Sequence, residues 1–454
     1  MKGFVPTPAA VVDLMVGKLF QNHAPTPDAS ILDPGCGTGE FIDGLIRWCR
    51  MRARPLPTIV GIESDPRHIS VARARFAGID SVTIRHSDFL VPSDERFDFI
   101  IGNPPYVPIT ALTLIERDTY RRRYGTARGR FDLYLLFFEQ ALRLLKQGGR
   151  LVFITPEKFL YVGTATPLRE LLSRACVEEL HFLEEDTFSE LVTYPLISTV
   201  RSAAPSRATR VIMRDRRTRT VDLVTDTLSW LPAILGARER PSDCLLGDVC
   251  VRVSCGVATG ADSVFVIRTS QIESDLQKFA HPTLAGRNLV PGKPPIPSHS
   301  LLVPYRSDGT LIPEEKLGRL RVYLSDPSRR GRLLARTCVV RKPWYAFHET
   351  PPMHEILRPK LLCKDIGAKP FFTVDRTGTL IPRHSVYYIV PSKPALLDEL
   401  ADYLNSSLAQ EWLHDHCQRA ANGFLRLQSH VLKRLPVPAR FAESIPTTQL
   451  QFAA

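Results

Sequence analysis

The chain has 454 residues, enough for two or three domains that each bury a core of their own. No run of eighteen apolar residues occurs, which excludes an ordinary membrane-spanning helix, and the opening Met1-Lys2-Gly3-Phe4-Val5-Pro6 has neither the apolar stretch nor the cleavage site of a secretory leader, so a cytoplasmic protein is expected. Lysine and arginine total 59 against 47 acidic residues, a formal charge of +12 that suits a phosphate-bearing partner without requiring one.

In chain order, the first two hundred residues alternate strand-like and helix-like segments, which predicts an α/β layer around a mostly parallel sheet. Ser30-Ile31-Leu32 reads as a strand running into a glycine-rich turn, and the next dozen residues, Glu40–Met51, as a helix. Residues 58–62 predict a second strand, 66–76 a helix, 82–84 a third strand and 97–101 a fourth. Residues 131–146 carry Leu135, Phe138, Leu142 and Leu145 at helical spacing, with a stop at Gly148-Gly149 and a strand over 150–154.

Beyond about residue 205 the texture changes: arginines crowd residues 207–219, turns multiply, and after 243 the βα rhythm is lost. A catalytic domain over 1–240 and a second, mixed α+β domain over 241–454 are expected. In the second, 397–419 reads as a helix, and the proline-studded 291–304 and 343–359 as loops that expose side chains. Nine cysteines lie scattered without a Cys-x-x-Cys pair, and His414 and His416 would point to different sides of a helix, so neither a disulfide framework nor a metal site is expected.

Asp33-Pro34-Gly35-Cys36-Gly37-Thr38-Gly39 follows the first strand and opens a helix. Its glycines let the backbone turn tightly and approach a ligand, although a plain strand-to-helix turn uses the same residues. The G-x-G-x-G spacing and the leading acid favour a nucleoside without a pyrophosphate, hence an S-adenosylmethionine fold over a dinucleotide fold. Glu63 ends the second strand, where a carboxylate can accept both ribose hydroxyls, and Asp88 ends the third, placed for an adenine amine with Phe89 covering the ring. Either acid alone could simply cap the next helix or turn. Together with the glycine loop they describe one adenosine-shaped pocket.

Asn103-Pro104-Pro105-Tyr106 directly follows the fourth strand. The amino group of adenine is a poor nucleophile because its lone pair is delocalised into the ring. The Asn103 side-chain carbonyl and the Pro104 backbone carbonyl can each accept one of its N–H groups, pulling the nitrogen towards a tetrahedral state, while Tyr106 offers a ring for an extruded base. Asn-Pro-Pro also makes a stiff turn at any strand end.

The order Phe4-Val5-Pro6-Thr7-Pro8, Asp33 to Gly39, Glu63, Asp88-Phe89 and Asn103-Pro104-Pro105-Tyr106 resembles the gamma class of amino-methylating DNA methyltransferases, the TaqI-like adenine enzymes. Residues 120–134, Gly286-Arg287-Asn288-Leu289, Tyr403-Leu404-Asn405-Ser406 and Leu435-Pro436-Val437 resemble later parts of that family. The resemblance implies a Rossmann-like S-adenosylmethionine-dependent methyltransferase sheet with helices on both faces, followed by a target-recognition domain. It implies that Thr7 contacts the methionine end of the cofactor, that Asp33, Pro34, Gly35, Gly37 and Gly39 hold its amino group and backbone, that Glu63 takes the ribose, and that Asp88 and Phe89 take the adenine. Asn103, Pro104, Pro105 and Tyr106 would form the catalytic turn, with Phe188 on the other face of the flipped base; a core phenylalanine explains Phe188 nearly as well.

These readings converge on site-specific methylation of the N6 amine of adenine in double-stranded DNA, with no metal and no cysteine nucleophile. The expected partner is a separately encoded restriction endonuclease, since the motifs begin at residue 4 and leave no room for a nuclease ahead of them, and a monomer is the default. The same tetrapeptide would suit a protein glutamine amide or a ribosomal RNA base, and a chain that had lost catalysis would only bind DNA. The arginines of 207–219, near the cleft, and the proline-bounded loops of the second domain are candidates for tracking phosphates and reading bases; a solvated basic face explains the arginines equally.

Overall fold

The neighbouring pairs Ile31-Leu32, Ile59-Val60, Ile100-Ile101, Leu151-Val152 and Phe153-Ile154 are all buried, which a strand permits only when both faces of its sheet are covered. The computed structural model, which describes residues 5–188, 194–223, 229–236, 244–419 and 424–443, meets that demand. The chain divides into two compact units, Met1–Gly236 and Ala237–Ala454, and the expected boundary between residues 240 and 241 lies outside the described residues.

The first unit is built on nine strands: β1 (Ser30–Pro34), β2 (Thr58–Glu63), β3 (Val82–His86), β4 (Phe97–Gly102), β5 (Leu145–Pro156), β6 (Cys176–Phe182), β7 (Pro195–Arg201), β8 (Thr209–Ile212) and β9 (Thr218–Val221). They run in the order β3-β2-β1-β4-β5-β7-β6-β8-β9. The five strands from β3 to β5 are parallel, and β7 lies antiparallel to both its neighbours. Helices α1 (Ala9–Leu19), α2 (Glu40–Met51) and α3 (Pro66–Arg75) share one apolar cluster with Ile31, Ile59, Ile101, Val152 and Ile154. The alternate residues Leu32, Val60, Ile100, Leu151 and Phe153 belong to a second cluster, with α4 (Leu114–Arg123) and α5 (Leu133–Leu144). This is the expected methyltransferase sheet with helices on both faces.

Strand order reverses at β1, whose neighbours are β2 on one side and β4 on the other. In such sheets the crevice beyond the carboxyl ends of the strands at the reversal is where ligands bind. The glycine loop follows β1 and Asn103 follows β4, so the topology alone brings them together.

One expectation is corrected in this unit. The helix expected over 131–146 ends at Leu144, and Gly148-Gly149 does not stop it; both glycines lie inside β5. There Gly148 takes φ +79°, and a Cβ on Gly149 would sit 2.8 Å from the Asp98 carbonyl oxygen. The glycines thus absorb the register shift between the pairs Phe97–Leu145 and Phe99–Arg150. The arginine-rich segment 207–219 builds the edge of this sheet, where β8 and β9 form a hairpin that extends it.

Among the described residues the second unit holds two four-stranded sheets and a three-stranded one, with two apolar clusters. Lys360 is fully buried and its ammonium lies 2.7 Å from Asp375, which also accepts backbone N–H groups from Gly378 and Leu380. Residues 343–359 expose their side chains only in part: His348, Glu349, Thr350 and His354 are exposed, but the aromatic stretch before them is not. Tyr345, Ala346 and Phe347 are buried, because the Arg336 guanidinium donates to the carbonyls of Thr259 and Trp344 and Phe347 packs edge-on against Phe265. The helix expected over 397–419 is two helices, Leu397–Asn405 and Ser407–His416. Ser406, at ψ 157°, breaks the first and caps the second.

Packing of α1 on α2 yields a test in which two effects compete. A Cβ on Gly44 would lie 2.4 Å from Val12 Cγ1. Gly44→Ala gains about 1 kcal/mol of helix propensity, but overpacking costs about 1–3 kcal/mol. The expected result is a lower urea midpoint for unfolding of the variant; a raised midpoint would show that α1 can draw away freely.

Candidate active site

Each part of the site begins as a strand end. After β1 the chain passes through Gly35, Gly37 and Gly39 at φ +80°, +57° and +95°, angles that side chains rarely adopt. Gly39 has a second reason to be glycine, since a Cβ there would lie 2.3 Å from the Phe76 ring. The N–H groups of Gly35 and Cys36 donate to the Ile62 carbonyl at 2.7 and 2.9 Å, tying the loop to β2. Glu63 completes the tie: one carboxylate oxygen accepts the Gly37 N–H at 3.0 Å, and the other accepts those of Ser64 and Asp65 at 2.7 and 2.8 Å.

Asp33 is fully buried and neither carboxylate oxygen has a hydrogen-bond partner. Burial, then the nearby charges of Glu40 and Glu63, push its pKa well above the usual carboxylate range. Gly102 on β4 allows this close approach, for a Cβ there would lie 3.1 Å from Asp33 Oδ1. At the end of β3, Asp88 is exposed, accepting the Leu90 N–H at 2.9 Å and the Tyr120 hydroxyl at 3.4 Å.

At the end of β4 the side-chain amide of Asn103 donates to the Val5 carbonyl and to Thr7 Oγ1, both at 3.1 Å. A backbone carbonyl can only accept, so this pairing fixes which end of the amide is nitrogen. The remaining atom, Oδ1, is buried without a partner. Tyr106 is held by its hydroxyl, which donates to the Ile154 carbonyl at 3.3 Å, and by edge-on packing against Tyr134.

These strand ends surround a cavity of about 480 Å³. Of the residues singled out from sequence, Thr7, Gly35, Glu63, Asp88, Asn103 and Pro105 line it. Asp33, Pro34, Gly37, Gly39, Pro104 and Tyr106 belong to the same loops without lining the cavity. Phe89 does not line it either: it is buried behind Phe137 of α5, ring centres 4.9 Å apart, and Phe137 is the ring on the wall. Phe188 is buried in the apolar cluster that holds Ile154 and Ile197, away from the cavity lining, and residues 189–193 after it lie outside the description. Sequence reasoning missed Phe137, and also Glu116 and Tyr120 of α4, which face the cavity from a helix whose pattern reads only as a basic surface helix.

Cys36 lines the cavity, but burial and the neighbouring carboxylates push its thiol pKa up, so it holds its proton. Among the described residues no cluster of histidine, cysteine and acid could hold a metal. The arginines of 207–219 are largely compensated where they stand. Arg214 pairs with buried Glu157, Arg210 with Glu179, Arg217 with Asp215 and Arg207 with Asp222, while Arg219 donates to the Ile234 carbonyl.

Comparison with known proteins places both units. Residues 59–188 match the Eco57I restriction-modification methylase family, and residues 329–437 match the TaqI-like C-terminal specificity domain. The Type II methyltransferase M.PaeR7I of Pseudomonas aeruginosa is 26% identical over 96% of this chain and 86% of its own length. The Type II methyltransferase M.XhoI of Xanthomonas vasicola is 27% identical, over 82% of this chain and 74% of its own. Among solved structures, the Type IIL restriction-modification enzyme MmeI in complex with DNA superposes with a TM-score of 0.65 over 94% of this chain and 65% of that one; at 13% identity it speaks for the fold alone.

The cofactor is S-adenosylmethionine, and the residues present fit it. Glu63 and Asp88 offer acceptors to an adenosine, Phe137 offers a ring, and the unpartnered carboxyl of Asp33 beneath the glycine loop suits an ammonium group.

Asp33 supplies a pH test. Its folded pKa lies above the unfolded one, so from the usual carboxylate range upward the folded protein keeps a proton that the unfolded chain has released, and stability falls as pH rises through that interval. Asp33→Asn should remove this loss, raising the unfolding midpoint of the ligand-free protein at neutral pH, and should weaken S-adenosylmethionine binding by about tenfold or more as a charge-assisted contact is lost. Unchanged affinity by calorimetry would separate Asp33 from the cofactor.

Proposed function

We propose that this chain, a restriction-modification methylase that joins an Eco57I-like methylase domain to a TaqI-like C-terminal specificity domain, transfers a methyl group from S-adenosylmethionine to the N6 amine of an adenine flipped out of duplex DNA. The observation that carries this reading is Asn103 Oδ1, a buried acceptor without a partner in the side chain that lines the cavity at the strand reversal. A target amine is the donor that such an atom lacks.

When bound, S-adenosylmethionine supplies an electrophilic methyl group and a thioether leaving group. Asn103 Oδ1 accepts one N–H of the target amine and the Pro104 carbonyl accepts the other, which draws the nitrogen lone pair out of the ring and aims it at the methyl group. The Tyr106 ring, held by its hydroxyl on Ile154, receives the face of the base. Flipping costs a few kcal/mol, and stacking returns about 1–3 kcal/mol per base, so an anchored ring offsets much of the cost. Attack is direct and in line: the N–C bond forms as the bond from sulfur to the methyl group breaks, the thioether departs, the methylated nitrogen releases one proton to solvent, and a thiol nucleophile is not needed.

Adenine as the base, over cytosine, rests on the likeness of Thr7, Asn103-Pro104-Pro105-Tyr106 and their neighbours to the gamma class. The C-terminal unit is assigned the choice of site. A separately encoded endonuclease is the proposed partner, the enzyme acts as a monomer in the cytoplasm, and no helix among the described residues is long and apolar enough to cross a membrane.

Asn103→Ala should lower methyl transfer to plasmid DNA by about 10²–10³-fold or more, the scale seen when one aligned polar group is removed from a transition state, while S-adenosylmethionine still binds. Near-normal turnover would overturn the assignment. Sequencing of DNA from cells expressing the wild type should find N6-methyladenine at one fixed site, and N4-methylcytosine there would move the base assignment without touching the mechanism.

A further inference from the structure

Residues 114–130 hold six arginines against two acids, Glu116 and Asp118. Arg121, Arg122, Arg123, Arg128 and Arg130 are all exposed, and none of the five enters an ion pair among the described residues. This contrasts with the hairpin β8–β9, where four arginines each face a carboxylate. The same residue type at similar density therefore has opposite electrostatic outcomes in one unit. We propose that the arginines at 121, 122, 123, 128 and 130 form a track for the phosphate backbone of duplex DNA beside the target base, an inference that rests on the proposed DNA methylation.

Their position supports this. The helix α4 turns Glu116 and Tyr120 to the cavity, and Arg121, Arg122 and Arg123 follow directly in its last turn. A structural role for that cluster would be to cap the helix C-terminus, where cations offset the dipole. Part of that role falls to Arg143, which donates to the Arg123 carbonyl at 3.2 Å, and part to the Nε of Arg122, which donates to the Asp118 carbonyl at 3.2 Å and leaves its terminal amino groups to solvent. Arg128 and Arg130 lie beyond the helix, where the dipole gives no reason for them.

The track is also rigid. Buried Glu139 accepts the N–H groups of Gly125 and Thr126 at 3.1 and 2.8 Å and the Thr126 hydroxyl at 2.7 Å, pinning the turn between the two arginine groups. Backbone fixed in this way orders little more on binding, so contacts to phosphates lose less entropy. Guanidinium groups suit phosphate oxygens through paired N–H donors, and such contacts set position while carrying no sequence information.

Each arginine that neutralises a phosphate on a duplex contributes about 0.9 to the slope of log affinity against log salt concentration. The test measures binding of the full-length protein to a fluorescent DNA duplex across a series of KCl concentrations. The variant replaces Arg121, Arg122, Arg128 and Arg130 with glutamine, and an Arg207→Gln, Arg217→Gln protein serves as the paired-arginine control. The quadruple variant should bind S-adenosylmethionine as the wild type does, bind DNA more weakly, and lose about 2 or more from the slope. The control should keep the wild-type slope.

An unchanged slope in a quadruple variant that still binds cofactor would overturn the track, as would an equal fall in the control or tighter wild-type binding to a matched RNA duplex. A wild type that binds no duplex at all would overturn the proposed function together with the track, so the two failures are distinguishable.

Discussion

The active edge depends on how one amide is turned. Asn103 spends both N–H groups on the Val5 carbonyl and the Thr7 hydroxyl, so its oxygen is the atom left over. The two ends of a carboxamide have nearly the same shape and opposite hydrogen-bonding character. Were the amide reversed, an incoming amine would meet another donor, and a buried mismatch of that kind costs about 1–3 kcal/mol. The segment at residues 5–7 therefore decides the chemistry of residue 103, nearly a hundred positions later in the chain. The resemblance assigns Thr7 to the cofactor; its contact with Asn103 adds a role that links the two ends of the same cavity.

Buried polar atoms without partners are rare in proteins, and two sets lie close to this sheet edge, on Asp33 and on Asn103. Their signs differ in what they ask for. Asp33, crowded by Glu40 and Glu63, asks for positive charge; Asn103 Oδ1 asks for a neutral N–H donor. A ligand bearing an ammonium group and a base bearing an amine answer both. Glu63 meanwhile assembles the loop, because its carboxylate collects backbone N–H groups from Gly37, Ser64 and Asp65 before any ribose arrives. The acids that polarise the site also hold its backbone in place.

Much of this was legible in the sequence because it is local. Glu40–Met51 reads as a helix from its own apolar spacing, and the strands that lead up to Glu63, Asp88 and Asn103 announce themselves by short runs of apolar and β-branched residues. The glycine loop is legible because positive φ leaves few alternatives to glycine. What sequence does not carry is distance. Phe89 is adjacent to Asp88 in the chain, yet the cavity wall is taken by Phe137, which comes from another helix and is indistinguishable by pattern from the other apolar residues of α5. Gly148-Gly149 looks like a helix stop because its real task, absorbing a register shift between two strands, exists only once the strands are paired. Residues 343–359 look exposed because prolines suggest a loop, and the Arg336 guanidinium that binds the carbonyls of Thr259 and Trp344 comes from outside that segment.

The arginines make the same point for charge. A net charge of +12 says that cations are in excess and says nothing of where the excess lies. The stretch at 207–219 is the denser in sequence, but the fold brings Glu179 and Glu157 against it, and Arg214 stands over the rings of Phe182 and Tyr194. At such sites a guanidinium is half structural: it fills space and closes hydrogen bonds, and its field is cancelled at short range. Among the described residues no carboxylate pairs with the arginines at 121–130, and the nearby buried Glu139 is turned towards backbone N–H groups and Arg143. Local pairing, which only the fold reveals, therefore decides which basic segment projects a field into solvent. By that criterion the exposed arginines at 121–130 add positive charge beside the helix that also lines the cavity.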